Sequence, residues 1–576
     1  MKPVSNWRGA ISQFWQLMAQ EQARMGWALL AGLLNSGLNL LAPFLIGYGI
    51  DHFIQTRQYP GLLKLGAGLL GVYLLSLGAH YAQMILMGSV GQNVLFLLRE
   101  RIFSKLQALP VAFFNQHKAG DLISRINNDT DKLNQFLSES LVRFMGSLFI
   151  MSGAGLAVVI LHPRLGLVAL APSLLLLLWT RLLSPWVKKQ NALQLEKTGG
   201  LSAAIQENLS HFKELLVFDR RDYFRSHFAN HNAQNYQAAI GAGMANGVFG
   251  PIFDLHYNLA HLSVLGYGLW LFQQGEITLG LLISFLTYVN RYYDPLRQMA
   301  LLWASFQLAL ASWDRINGVL EAEENLACLP PGPHLPDTGL LSFKDACFHY
   351  PGGSEVLHHV SFTLEPGKTY ALVGPTGGGK STTAALMARL YDPNSGLVTF
   401  QGRDLREFSG AERSKHIGFI LQEPFLFAGT VKDNLVMGHP DLQDAEPAVL
   451  SAKLSNKGLT PFLERFAQGL DTPVGEQESQ TSLGQKQLLA FMRAVLREPE
   501  LLILDEATAN IDTVTEQALE AILSRLPETT TRVIIAHRLN TIENADQIFF
   551  VNDGQIQSAG SFEQAVALLM QEERKS

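Results

Sequence analysis

The sequence predicts a multi-domain chain: an all-α domain of six membrane-crossing helices with long cytosolic helical arms, followed by a soluble α/β domain. Three observations carry this. Long uncharged runs recur through the first 339 residues and then stop. Charge is unevenly shared: residues 1–339 hold 24 Lys+Arg and 20 Asp+Glu, whereas residues 340–576 hold 20 and 30. The back part alternates short β-rich apolar runs with helix-like stretches, the pattern of layered α/β domains. The averages over 576 residues (48% hydrophobic, 16% charged, net −6) therefore describe neither part. The charged fraction falls below the ~25% of ordinary soluble domains because half of the chain is built for lipid.

Composition also excludes classes. Two cysteines, Cys328 and Cys347, leave no disulfide framework and no cysteine-based metal site. The back part is acidic, net −10, and lacks the basic face that nucleic acid requires, so no nucleic-acid partner is expected.

Residues 1–25 interleave Trp7, Phe14, Trp15, Leu17 and Met18 with charge, which suits an amphipathic helix at the membrane surface or an ordinary lead into the first span. No small-residue cleavage site follows a short apolar core. Uncharged runs then place spans at about 26–50, 62–90, 138–162, 164–187, 248–273 and 276–305, inside a transmembrane domain covering 26–320. Residues 89–143 and 181–245, the connections after the second and fourth uncharged runs, carry 15 Lys+Arg; the connections after the first, third and fifth runs carry only Arg57, Lys64 and Arg164. The positive-inside bias puts the N-terminus, both long arms and the back part in the cytosol of a multi-pass protein of the cytoplasmic (inner) membrane, in contact with membrane lipid.

Each arm contains an apolar elbow, Leu109–Phe114 with Gly120–Arg125 in the first and Glu207–Phe218 in the second. Neither is needed to cross a bilayer. Each is expected to form a short helix that docks on the cytosolic domain. Within the spans, Asp254, Asn258 and His261 share one helix face, and Arg291 and Asp294 are close enough to pair. Intramembrane polar groups either line a pathway or bond between helices.

Residues 321–338 are charged and then proline-rich, the marks of a linker, and the α/β domain follows over 339–576. Gly374-Pro-Thr376-Gly377-Gly378-Gly379-Lys380-Ser381 has the spacing of a phosphate-binding loop, set between an apolar β-rich run (Tyr370–Val373) and a helix-like run (Thr382–Leu390). Glycines let backbone N–H groups wrap phosphates, and the helix start adds positive potential. Gly374, Thr376, Gly377, Gly378, Gly379, Lys380, Ser381 and Thr382 are thus the candidate nucleotide-binding residues, with Lys380 on the β/γ-phosphates and Ser381 on Mg²⁺. Leu501–Leu504 is a buried-strand run ending in Asp505 and Glu506. There Asp505 would hold Mg²⁺ and Glu506 would act as general base on the attacking water. Val533–Ala536 is a second such run, ending in His537, which can donate to the γ-phosphate.

These elements in this order, with Gln422 between them and Thr481-Ser482-Leu483-Gly484-Gln485 ahead of the acidic strand, resemble the nucleotide-binding domain of an ABC transporter. The six-span front with two arms resembles the exporter-type half-transporter. Gly484–Leu489 and Ile503–Asp512 look most like the multidrug-resistance-like Mdl half-transporters. The resemblance implies ATP and Mg²⁺ as cofactors. It implies that Tyr350 stacks on adenine, that Gln422 senses Mg²⁺ and the attacking water, and that Ser482, Gly484 and Gln485 touch nucleotide held by a second subunit. It also implies that Asp512 lies at the dimer contact, and that Gly475-Glu476 meets the arms.

One departure matters. The family pattern has glycine where this chain has Leu483, although Ser482 and Gln485 still form a capping box. An altered signature beside an intact Glu506 implies a heterodimer, whose partner lacks the glutamate and keeps the signature; a homodimer that tolerates Leu483 is the alternative. The implied function is ATP-driven export of a hydrophobic or amphipathic small molecule, with import or lipid flipping on the same scaffold as alternatives.

Overall fold

The computed structural model describes residues 18–323, 326, 328–334, 339–422, 424–443, 446–475, 481–505, 512–535, 545–560 and 563–564. Most of the expected N-terminal amphipathic helix lies outside them. The chain forms two compact units: residues 1–105 with 122–321, and residues 106–121 with 322–576.

The helices run α1 (Gln22–Gly49), α2 (Tyr59–Ala108), α3 (Val111–Gln116), α4 (Ala119–Ser124), α5 (Thr130–Gln135), α6 (Leu141–Leu161), α7 (Pro163–Ser210), α8 (Phe212–Val217), α9 (Arg221–Gly247), α10 (Phe249–Gln273) and α11 (Leu279–Leu320). Helical segments 22–54, 59–108, 119–161 and 163–210 are each long and apolar enough to cross a membrane. The helices at the fifth and sixth expected spans, α10 and α11, have 25 and 42 residues but carry Asp254, His256, His261, Arg291 and Asp294, which dilute their apolar character. Spans two and four continue without a break into the arms, so membrane helix and arm are one rod of 50 or 48 residues.

Local chemistry sets the boundaries. α7 starts where His162 Nδ1 accepts from the Leu165 amide (3.2 Å) ahead of Pro163 at the first helical position. α11 is capped twice: Thr278 Oγ1 accepts from the Leu281 amide (3.2 Å), and Asp51, from beyond α1, accepts from the Gly280 amide (2.8 Å) and the Thr278 hydroxyl (2.5 Å). Small residues seat α1 against α11. A Cβ added at Gly47 would lie 2.0 Å from Ser284 Oγ, and Ser284 and Tyr288 donate to the carbonyls of Pro43 and Leu40 at 2.8 and 2.7 Å. Ala154, Val158, Leu165, Ala169, Phe253 and Tyr293 belong to the apolar core joining α6, α7, α10 and α11.

The polar span residues partly depart from expectation. Asp254 and Asn258 do share an exposed face, and His261 Nδ1 turns to the Tyr257 carbonyl at 3.1 Å. Arg291 and Asp294 form no ion pair within 4 Å among the described residues, because Asp294 is exposed while Arg291 is half-buried. The nearby inter-helix bond is instead Tyr257 to Asn290 at 2.6 Å. An ion pair that sequence spacing does not reveal joins distant segments. Asp129, buried in a π-helical turn (Arg125–Asp129), accepts from Arg315 Nε (2.8 Å) and Nη2, Ser312 Oγ (3.2 Å) and Lys132 Nζ (3.2 Å).

The second unit adds strands β1 (Leu341–His349), β2 (Glu355–Leu364), β3 (Thr369–Val373), β4 (Ser395–Phe400), β5 (Arg403–Asp404), β6 (Ile417–Ile420), β7 (Gly429–Thr430), β8 (Pro473–Val474), β9 (Leu501–Asp505), β10 (Thr531–Ile535), β11 (Gln547–Asn552) and β12 (Gln555–Gly560). Its main helices are α12 (Lys380–Met387), α13 (Gly410–His416), α14 (Val431–Val436), α15 (Pro440–Gln443), α16 (Pro447–Asn456), α17 (Thr460–Leu463), α18 (Leu483–Arg497) and α19 (Thr513–Leu523). A six-stranded sheet has the order β12-β11-β3-β10-β9-β6, in which β11, β3, β10, β9 and β6 pair in parallel. A four-stranded antiparallel sheet, β2-β1-β4-β5, lies in the same unit. The apolar run Leu501–Leu504 is buried along its length, as a central parallel strand requires. The described linker residues lie along this unit: Leu329 N donates to the Arg406 carbonyl at 2.9 Å.

Candidate functional site

The loop from Gly374 to Gly379 joins β3 to α12. Its glycines are required. Gly374 has φ +149° and a Cβ there would lie 2.0 Å from the Val551 carbonyl oxygen; Gly379 has φ +110°. α12 then begins at Lys380 with its amides directed at the loop, a ready anion site. Lys380 is 5% exposed, and its ammonium donates to the carbonyls of Gly374 and Pro375 at 2.7 and 2.8 Å. The cation that the spacing assigns to the β/γ-phosphates is therefore held inside the loop.

Neighbouring strands bring the acids. β9 ends at Asp505, whose partner on β10 is Ile535, and β10 pairs on its other side with β3. The Ser381 hydroxyl faces the Asp505 carboxylate at 3.4 Å. A hydroxyl and a carboxylate are hard oxygen donors, so this pair fits the Mg²⁺ that a nucleotide triphosphate carries. Gln422 follows β6, at the edge beside β9, and is exposed. Glu476, Glu506 and His537 lie outside the described residues; in the chain Glu506 is the next residue after β9 and His537 the second after β10.

Tyr350 follows β1. Its hydroxyl lies 3.0 Å from Thr382 Oγ1, and its ring meets Phe348 and Tyr391 edge-on at 4.9 and 5.2 Å. The aromatic expected to stack on adenine is thus anchored to the phosphate-loop helix.

Around Ser482 the expected capping box is formed. Ser482 Oγ accepts from the Gln485 amide (3.2 Å), and Gln485 Oε1 accepts from the Ser482 amide (3.0 Å). Leu483 is 41% exposed at the start of α18, in the place where the family pattern has glycine. Gly484 packs on α19, where an added Cβ would meet Thr515 at 3.1 Å. Asp512 caps α19, accepting from the Thr515 amide (2.9 Å) and hydroxyl (2.7 Å). These bonds hold its carboxyl below the usual aspartate range. The family resemblance implies a dimer contact at Asp512; within this chain its carboxylate serves as a helix cap.

Two features were missed from sequence. The first is Tyr391 beside Tyr350, reached also by the first elbow: Asn115 Nδ2 donates to the Tyr391 hydroxyl at 2.7 Å, and Ala112 packs on the α/β core. The expected docking of this elbow is thus present within the second unit, whereas α8 in the second elbow leaves Phe212, Leu216 and Val217 exposed and buries Leu215. The second missed feature is a groove of about 250 Å³ beside Gln422, lined by Leu421, Phe425, Phe427, Arg493 and Arg497. The run Phe425-Leu426-Phe427, with both phenylalanines about half exposed, was its signal.

Comparison with known proteins follows the same division. Residues 25–296 match the family model described as ABC transporter transmembrane region, and residues 357–509 match that described as ABC transporter. An uncharacterized ABC transporter ATP-binding protein, YfiC of Bacillus subtilis (strain 168), is 32% identical over 97% of this chain and 92% of its own length. A fatty acid ABC transporter ATP-binding/permease protein of Mycobacterium tuberculosis is 32% identical over 96% of this chain and 85% of its own. A probable multidrug resistance ABC transporter ATP-binding/permease protein, YheH of Bacillus subtilis, is 31% identical over 86% and 74%.

Proposed function

The chain belongs to the ABC transporter family, an ATP hydrolase coupled to transport in the exporter-type half-transporter architecture, and we propose that it exports a hydrophobic or amphipathic small molecule across the cytoplasmic membrane as one half of a heterodimer. The observation that carries the ATPase assignment is the Ser381–Asp505 pair (3.4 Å) beside Lys380 and the glycine loop.

The residues divide the work. Gly374, Thr376 and Gly377–Gly379 present backbone amides to the phosphates, and Tyr350 offers its ring to the base. Lys380 exchanges its bonds to the Gly374 and Pro375 carbonyls for phosphate oxygens. Ser381, Asp505 and Gln422 would hold Mg²⁺, which supplies neutralisation of charge on the β- and γ-phosphates. Glu506, next in chain to Asp505, takes the proton of the attacking water, and His537 donates to the γ-phosphate. Ser482, Gly484 and Gln485 contact nucleotide across the dimer. Clamping two ATP molecules between two such domains favours the closed state by the margin with which that state binds ATP more tightly, and so biases the membrane halves.

Leu483 supports the heterodimer: a bulky exposed side chain occupies the position where backbone should approach the partner's phosphate. The substrate class rests on the apolar, aromatic-rich spans and on the names of two relatives, a fatty acid ABC transporter and a probable multidrug resistance ABC transporter. The test is Glu506→Gln in the membrane-reconstituted protein: ATP binding is expected to persist while turnover falls by about 10²–10⁴. Retained turnover would refute the general-base assignment. Purification of the chain alone with full cooperative ATPase would refute the heterodimer.

A further inference from the structure

We propose that Tyr391 is a positioning residue that ties the nucleobase platform to the first elbow, so that the elbow responds to a stacked base and not to phosphate alone. The proposal rests on the assignment of Tyr350 as the base-stacking ring. Three aromatic rings form one wedge. Tyr350 and Phe348 meet at 4.9 Å and 85°, Phe348 and Tyr391 at 5.4 Å and 63°, and Tyr350 and Tyr391 at 5.2 Å and 89°. Edge-to-face rings at this spacing cannot slide past one another, so a tilt of one displaces the others.

Both ends of the wedge are tied. At one end the Tyr350 hydroxyl lies 3.0 Å from Thr382 Oγ1 on the phosphate-loop helix. At the other, the Tyr391 hydroxyl accepts from Asn115 Nδ2 at 2.7 Å. Asn115 lies on α3, which follows in the chain directly after the long rod α2, and Ala112 of the same helix packs on the α/β core. Burial pushes the Tyr391 phenol above its ordinary value, with the Asn115 bond opposing, so it is a neutral hydroxyl at physiological pH.

The bond serves geometry more than stability. Asn115 is exposed and can bond to water instead, so Tyr391→Phe, which removes the hydroxyl itself, leaves no buried polar group unsatisfied. That makes the joint testable without unfolding the domain.

The test uses the full chain in lipid nanodiscs, with hydrogen–deuterium exchange of residues 111–116 as readout. Two probes are compared in magnesium-free buffer: ATP, and inorganic tripolyphosphate, which fills the phosphate loop without a base. Their concentrations are matched by equal protection of residues 374–382. ATP is expected to slow exchange in the elbow about fivefold, the scale of one hydrogen bond, and tripolyphosphate to leave it unchanged. Tyr391→Phe and Asn115→Ala should each abolish the ATP effect while ATP affinity stays within about twofold, and the double variant should be no worse than either. Equal elbow protection by tripolyphosphate, or a full ATP effect in either single variant, overturns the proposal. Tyr350→Ala separates the two assignments. If it leaves ATP affinity unchanged, Tyr350 is not the base platform; if it lowers affinity while Tyr391→Phe keeps the elbow response, the platform stands and the joint does not.

Discussion

At the scale of single residues, charge placement decides the chemistry. Lys380 is nearly buried and donates to the carbonyls of Gly374 and Pro375, so it is held in the loop where phosphate would sit. Lys380→Ala should lower ATP hydrolysis about 100-fold or more, measured as phosphate release by the reconstituted protein. Asp512 gives a pH prediction. Its folded value is lowered by the Thr515 bonds, so its contribution to stability is present above the unfolded value, near ~3.9, and is lost as pH falls through the lower folded value. Wild type should therefore be more stable than Asp512→Ala in thermal unfolding at pH 5–7, and the gap should close in more acidic solution.

At the scale of elements, caps and seams hold the parts in register. Ser482→Ala removes the hydroxyl half of a capping box, the bond from the Gln485 amide, and should cost about 1 kcal/mol, read from denaturant unfolding. Asp129→Ala leaves Arg315 without its carboxylate at a side chain that is 2% exposed, and should destabilise the helical unit by about 2–3 kcal/mol, the half-exposed arginine softening the loss. These two cases show what was legible in the sequence. The capping box is local: Ser482 and Gln485 are three positions apart, and helix geometry alone brings them together. The phosphate loop is likewise local, with its glycine φ values dictated by spacing. Asp129 and Arg315 are 186 positions apart, as are Asn115 and Tyr391 by 276, and no periodicity encodes such meetings. Arg291 and Asp294 show the converse: helical spacing permits a pair, and tertiary packing sends the two side chains to different environments.

At the scale of the whole molecule, two materials are joined in one chain. The apolar, mildly basic part became long rods whose membrane and arm portions are continuous helix, and the acidic part became an α/β ATPase unit that also recruits residues 106–121 from the first arm. Four helical segments are long and apolar enough to cross a membrane, whereas α10 and α11, at the fifth and sixth expected spans, carry Asp254, His256, His261, Arg291 and Asp294 among mainly apolar residues. Leu483 makes the predicted assembly asymmetric: substituting Leu483→Gly should raise ATPase of the chain expressed alone if the altered signature is what requires a partner. The most direct test of the account is ATP-dependent uptake of a panel of amphipathic dyes into inside-out vesicles from the native membrane, comparing wild type with Glu506→Gln. The account predicts accumulation of at least one dye with wild type and none with the variant. Equal accumulation with both, or dye movement independent of ATP, would contradict it.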